Sequence, residues 1–295
     1  MIESVPNVSE GRNRATIEEI ASAVRHVGVR LLDVHSDVDH NRSVFTFVGG
    51  ENDVAEAALS LCRVAVRRID LGEHRGTHPR MGAVDVVPFV PLNDISMPVC
   101  VQLATETGRR IAEELGVAVY LYGECASRPG RANLAEIRRG GFERFGEKIT
   151  NSEWAPDFGP KRVHPMAGVV AVGARPFLVA YNVVLDTSDV EAAQRIARAV
   201  RERDGGLPGV KALGMMLESR GLAQVSMNLT NVRATTVLDA FEAVCHEAAC
   251  RGIEVRESEI VGLVPRAALG GATEAGIRLV GSLSDRVLEV RMASS

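Results

Sequence analysis

The 295-residue chain is 46% hydrophobic and 24% charged, and its 34 Lys and Arg stand against 38 Asp and Glu, a net charge of −4. Without a basic tail or block of like charge it is a poor candidate for non-specific nucleic-acid binding, and no apolar run approaches the ~20 residues of a membrane helix. The opening MIESVPNVSEGRN lacks the charged start and apolar run of a secretory signal, so a cytoplasmic location is the default expectation.

The length suits two compact units. IESVP reads as a short strand, and residues 13–27 as a helix with Ile17, Ile20, Ala21 and Val24 on one face and Gly28 as its stop. VRLLDVH and RSVFTFVGG read as strands on either side of the polar turn segment SDVDHN. Residues 52–70 form a second amphipathic helix, capped by Asn52 or Asp53, and GAVDVVPFVPL is a strand rich in β-branched residues. A helix over 96–115, the strand VAVYLYGE and a short helix near Leu134 follow. Residues 154–168, WAPDFGPKRVHPMAG, are rich in Pro and Gly and read as an ordered loop near a domain boundary.

In the second half, FLVAYNVVL is a strand and 189–203 a helix. VKALGMML and LAQVSMNLT are strands joined by a turn containing Gly221, 235–251 is a helix, and IEVRESEIVGLVP is a strand. Each half thus carries the order β-α-β-β-α-β of a ferredoxin-like unit. The expected fold is α/β (α+β), two ferredoxin-like lobes facing a ligand cleft, with domains 1–177 and 178–295. The five cysteines, Cys62, Cys100, Cys125, Cys245 and Cys250, form no C-x-x-C pair and read as reduced core thiols.

The stretch HRGTHPRMG holds His74 and His78 in a loop stiffened by Pro79 and loosened by Gly76 and Gly82. A histidine titrates near ~6.5, and Arg75 and Arg80 would keep the ring of His78 neutral, as a general base requires. The bland reading is a histidine that only hydrogen-bonds its own loop. In DVHSDVDHNR, alternation points Asp33, His35, Asp37 and Asp39 to one side, with His40 next. That cluster suits a divalent metal, a carboxylate orienting a histidine, or simply a solvated turn. Arg42, Arg75 and Arg80 at loop–strand junctions suit a small polyanion such as a dicarboxylate, or are surface charge. In GPKRVHPMAG, Lys161 and Arg162 could meet an anionic group, and Trp154, Phe158 and Met166 a flat heterocycle. No phosphate-binding glycine motif is present.

VPNVSEGRN, LLDVHSDVDHNRSVFTFVG, RGTHPRMGAVDVVPFVP, VYLYGE, WAPDFGP and LAQVSMNLT together resemble glutamate formiminotransferase, in its stand-alone bacterial form. The resemblance runs through nearly the whole chain, and its HPRMGA block is highly specific. It implies transfer of the formimino group of N-formimino-L-glutamate to N5 of tetrahydrofolate as co-substrate, a step of histidine degradation, by a homodimer with two α/β subdomains and no metal. The family's catalytic histidine falls on His78. Its folate-binding stretch falls on Gly159, Pro160, Lys161, Arg162, Val163, His164, Pro165, Met166, Ala167 and Gly168; Gly159, Pro160, Pro165 and Gly168 match the family and the residues 161–164 do not. His35 stands where vertebrate members have an aspartate, and is the candidate partner of His78. Arg42 and Arg80 are the candidate anchors of the glutamate carboxylates. The alternatives are formyl transfer between 5-formyltetrahydrofolate and glutamate, a metal-dependent hydrolase built on the residues 33–40, and a folate-binding module without turnover.

Overall fold

The computed structural model describes residues 1–294, and the chain divides into two units, Met1–Arg175 and Pro176–Ser295. The first unit opens with β1 (Ile2–Ser4) and β2 (Asn7–Val8). Pro6 lies between them and has no N–H to give to a ladder, so one path is split into two pieces. α1 (Arg14–Arg25) starts where the Asn13 side chain accepts the N–H groups of Ala15 and Thr16, and it buries Thr16, Ile20, Ala21 and Val24. β3 (Arg30–Asp37) and β4 (Arg42–Gly49) pair antiparallel. α2 (Glu51–Arg68) begins with Glu51 and Asp53 and ends with Arg67 and Arg68, which complements the helix dipole. β5 (Val84–Pro91), α3 (Met97–Leu115) and β6 (Ala118–Gly123) follow. α4 (Leu134–Arg138), α5 (Gly141–Thr150) and β7 (Val169–Ala174) complete the unit.

These strands form one seven-stranded sheet. β1 and β2 lie between β4 and β5, antiparallel to both, and β3 borders β4. On the other side β7 and then β6 extend the sheet in parallel from β5. Alternation gives the sheet two faces. Phe45, Phe47, Val87 and Phe89 join the apolar residues of α1, α2 and α3 in one core. Met81, Val86, Tyr120 and Tyr122 pack with Ile137, Phe145 and Ile149 of α4 and α5 in a second. Arg42 and Val44, two apart on β4, therefore face away from Phe45 and Phe47.

Sequence reading does not foresee α5 or β7. GFERFGEKIT contains two glycines, which weaken helix propensity, and its helix is fixed by burial of Phe145 and Ile149. VVAVGA is buried along its whole length between two parallel neighbours, so it shows no alternation. With these elements the first unit is larger than a bare β-α-β-β-α-β.

The second unit keeps that order: β8 (Val179–Leu185), α6 (Val190–Val200), β9 (Val210–Leu217), β10 (Leu222–Leu229), α7 (Val237–Ala249) and β11 (Val255–Val261). Its four strands run β11-β8-β10-β9, every pair antiparallel. Asp189 caps α6, and Thr236 with Asp239 forms a capping box on α7. Tyr181, Val183, Ile196, Val225 and Val244 lie in its core. The helix expected over 189–203 ends at Val200 and leaves a 3₁₀ turn at Glu202–Asp204, and a further helix, α8 (Leu288–Ser294), closes the described chain. Cys62, Cys100 and Cys125 are buried free thiols, whereas Cys250 is exposed.

Candidate functional site

The turn between β3 and β4 brings the first residues together. Asn41 adopts φ 48°, a left-handed conformation that asparagine tolerates better than most residues. Its side chain accepts the N–H of Gly11 at 2.9 Å and donates to the carbonyl of Arg75 at 3.0 Å, which ties the turn to the loop carrying both histidines.

That tie separates the two histidines. His74 is buried, and its Nε2 donates to the carbonyl of Asn41 at 2.8 Å while its Nδ1 accepts from Arg80 Nε at 3.0 Å. Burial, more than the neighbouring charges, lowers its basicity. Both ring nitrogens are committed, so His74 is a structural residue of the loop. His78 is half-buried. Its Nδ1 lies 2.8 Å from the carbonyl of Pro79 and 3.2 Å from Arg42 Nη1. Among the described residues nothing pairs with its Nε2. The ring of His40 meets it edge-on, with centroids 5.9 Å apart.

Arg42, the first residue of β4, uses each nitrogen differently. Nε donates to Asn7 Oδ1 at 2.9 Å, Nη1 faces His78, and Nη2 donates to Asp85 Oδ2 at 3.1 Å. Asp85 is fully buried on β5. Its Oδ1 accepts the N–H of Met81 at 2.8 Å, and its Oδ2 also accepts from Arg138 Nη2 of α4 at 2.6 Å. Burial would raise the carboxyl pKa of Asp85, but Arg138, Arg42 and the Met81 N–H outweigh it and hold the group ionised, well below the usual carboxylate range. Burial lowers Arg42 to about 10 against the pull of Asp85. Burial, then Arg42 and Arg138, push His78 well below its ordinary value, with Asp85 opposing. The result is a neutral imidazole with an open Nε2 beside a row of two guanidiniums and one carboxylate.

The residues 159–168 meet this loop through backbone. His164 and Gly168 exchange N–H···O bonds of 3.1 and 2.9 Å, and His164 Nδ1 accepts the N–H groups of Met166 and Ala167. Ala83 N–H donates to the carbonyl of Ala167, and Val169 N–H to that of Met81, so the turn is stitched to the segment just after His78. The approach is close: a Cβ on Gly168, whose φ is +70°, would lie 2.2 Å from the Met81 carbonyl oxygen. Lys161, Arg162 and Met166 are exposed there. Of the other apolar candidates, Trp154 lies under the Lys148 ammonium, 3.7 Å from the ring centroid, and Phe158 packs on the first core.

Several expected residues are placed differently. Arg80 is engaged with His74 and with Glu143, whose Oε1 is 2.7 Å from Nη1. His35 pairs with Val44 across the β3–β4 ladder, whereas the ring that meets His78 is His40. Asp37 accepts the backbone N–H of His40. Among the described residues no group of three or more His, Cys, Asp or Glu is arranged to hold a metal ion. Sequence reading missed Asn7, Asp85 and Arg138. An aspartate inside the apolar run AVDVVPFV is a signal for Asp85, while nothing in LAEIRRGG marks Arg138.

The family model for the formiminotransferase domain, N-terminal subdomain, matches residues 1–175, and that for the formiminotransferase domain matches residues 180–279. The chain is 47% identical over 270 residues to a glutamate formimidoyltransferase of Streptococcus pyogenes serotype M1, covering 91% of this chain and 90% of the relative. It is 48% identical over 295 residues to a glutamate formimidoyltransferase of Thermoplasma acidophilum, covering 99% and 97%. Against a formimidoyltransferase-cyclodeaminase of Sus scrofa it is 46% identical over 276 residues, covering 91% of this chain and 51% of the longer relative.

Proposed function

The chain belongs to the formiminotransferase family, and from that premise we propose how its residues carry the formimino group from N-formimino-L-glutamate to N5 of tetrahydrofolate. The products are 5-formiminotetrahydrofolate and L-glutamate. The observation that carries the reading is the open Nε2 of a neutral His78, set beside the turn 164–168 by backbone hydrogen bonds.

His78 is the general base and then the general acid. N5 of tetrahydrofolate attacks the amidine carbon, and a tetrahedral adduct forms. The N5 proton passes to His78 Nε2. The same proton then goes to the glutamate nitrogen, the bond from carbon to that nitrogen breaks, and the C=N of the new formimino group forms. In the tautomer whose Nδ1–H donates to the Pro79 carbonyl, the Nε2 lone pair points outward for the first step. Arg42 opposes the imidazolium that follows, which makes it a stronger acid for the second.

Lys161, Arg162 and Met166, exposed on the turn that bonds to the His78 segment, offer charge and an apolar surface to the folate. The residues 159–168 bind it. Arg42 and Arg80 provide positive charge for the donor's carboxylates. Arg80 does so by exchanging Glu143, whose side chain is 61% exposed, for a substrate carboxylate, a swap that keeps the guanidinium paired. His40, whose ring meets His78 edge-on, is a candidate partner for it beside His35. The enzyme works as a cytoplasmic homodimer without a metal.

The test is turnover. Purified protein, tetrahydrofolate and formiminoglutamate are mixed, and 5-formiminotetrahydrofolate and free glutamate are followed, with His78→Ala alongside. Turnover by the wild type and a loss of at least ~100-fold in the variant are expected. Full turnover by His78→Ala would remove the assigned base.

A further inference from the structure

His78 reaches its setting through a carboxylate that it does not touch. Asp85 accepts three donors from three parts of the chain: Arg42 Nη2 on β4, Arg138 Nη2 on α4 and the Met81 N–H. Arg42 is held at Nε by Asn7, and its Nη1 lies 3.2 Å from His78 Nδ1. The far end is braced as well. Lys148 of α5 donates to the carbonyls of Glu136, Ile137 and Arg139, which bracket Arg138, and Phe142 N–H donates to the carbonyl of Arg80. A five-residue helix with an Asn133 cap would not by itself hold a long side chain in place. Here both of its ends are fixed, and Arg138 extends to a fully buried acceptor.

We propose that Asp85 and Arg138 are positioning residues for the His78 reaction: Asp85 holds the Arg42 guanidinium against His78 Nδ1, and Arg138 completes an Arg–Asp–Arg row, centred on the buried carboxylate, that sets the charge the ring meets. The inference rests on the formimino-transfer reading only for its consequence in turnover.

The row carries two positive charges and one negative, a net +1 facing His78. The other charged or titratable group facing the ring is His40, itself beside Asp37 at 3.6 Å. Removing Arg138 lowers the row to zero, and removing Asp85 raises it to +2. Removing both returns it to +1. This sign pattern is what a merely structural role would not produce, since lost order gives no reason for the titration to move in opposite directions for the two residues and back again for the pair.

The experiment follows the His78 ring C–H signals by NMR against pH in the free protein, so it needs no substrate and stands apart from the reaction assignment. Arg138→Met should move the His78 titration upward by about 1 pH unit. Arg138→Lys, which keeps the charge, should move it by less than about half as much. The double variant Asp85→Asn/Arg138→Met should return it toward the wild-type position, which keeps the test alive if Asp85→Asn alone does not fold. In turnover, the acid limb of kcat/KM should follow the same order while KM for tetrahydrofolate changes by less than about threefold. A His78 titration that stays put in folded Arg138→Met, or a double variant displaced further than Arg138→Met, would overturn the proposal.

Discussion

Glu3→Gln should stabilise the protein at neutral and alkaline pH and leave it unchanged in acid. Glu3 sits on β1 between Val48 of β4 and Val90 of β5, and it is 3% exposed. Burial disfavours its ionised form more than the nearby Arg175 favours it, and its pKa is pushed up from 4.5 to about 7. Between those values the native state keeps a proton that the unfolded chain has released, so stability falls as pH rises. Above 7 the carboxyl is ionised in both states and the whole penalty is present. The gap, 7 less 4.5, is about 2.5 pH units, which corresponds to roughly 3 kcal/mol. Glutamine has the same shape and no charge at any pH. At pH 8 the variant should therefore gain about 2–3 kcal/mol, or roughly 4–12 °C in Tm for a unit of this size. At pH 4, where the carboxyl is protonated in both states, the gain should vanish. Calorimetric unfolding of both proteins at pH 4, 6 and 8 reads this directly. A Tm difference that is the same at all three pH values would refute the reasoning, because it would trace the effect to packing and not to ionisation.

Gly168→Ala should cost about 2–4 kcal/mol, the sum of a left-handed backbone without glycine and one or two lost bonds between the turn and the His78 segment. The same change should raise KM for tetrahydrofolate more than it lowers kcat, read by steady-state kinetics; an unchanged Tm would show that the crowding at Met81 relaxes freely. Lys148→Met should leave three carbonyls around Arg138 without their shared donor. Amide exchange in residues 134–150 should then speed up by roughly 10–100-fold, the equivalent of one or two lost charge-assisted bonds, with little change in α1 or α2.

Much of the fold is legible because its signals are local. The Ile20, Ala21 and Val24 stripe of α1 and the Gly221 turn between β9 and β10 each declare themselves in a few residues. β9 occupies the whole of VKALGMML for the same reason. What is not legible depends on partners distant in sequence. β7 is a strand because β5 and β6 flank it, and α5 is a helix because Phe145 and Ile149 find Tyr120 and its neighbours. The site divides in the same way. HPRMGA marks His78, and the Pro- and Gly-rich stretch marks the turn at 164–168. Arg138 leaves no mark, since its meaning comes only from a carboxylate 53 positions away.

His74 and His78 show how tertiary contacts assign roles that spacing cannot. Both lie in one stiff, arginine-flanked loop, and either could serve as a base on residue type alone. The difference is made by residues outside the motif. Asn41 presents a carbonyl to His74 Nε2, and Arg80 closes the other nitrogen, so the ring has no lone pair to offer. Pro79 and Arg42 both address the same nitrogen of His78, and the opposite edge is left open. Both expected substrate contacts also have partners within the protein: Arg80 bonds to His74, and Arg42 lies against His78. A general base must keep one nitrogen unbonded in the resting protein, and that cost is acceptable only where the rest of the ring is held rigidly. The buried carboxylate of Asp85 supplies that rigidity for Arg42, and it can stay ionised in an apolar sheet only because two guanidiniums and a backbone N–H meet it. The charged row and the open nitrogen are thus parts of one arrangement.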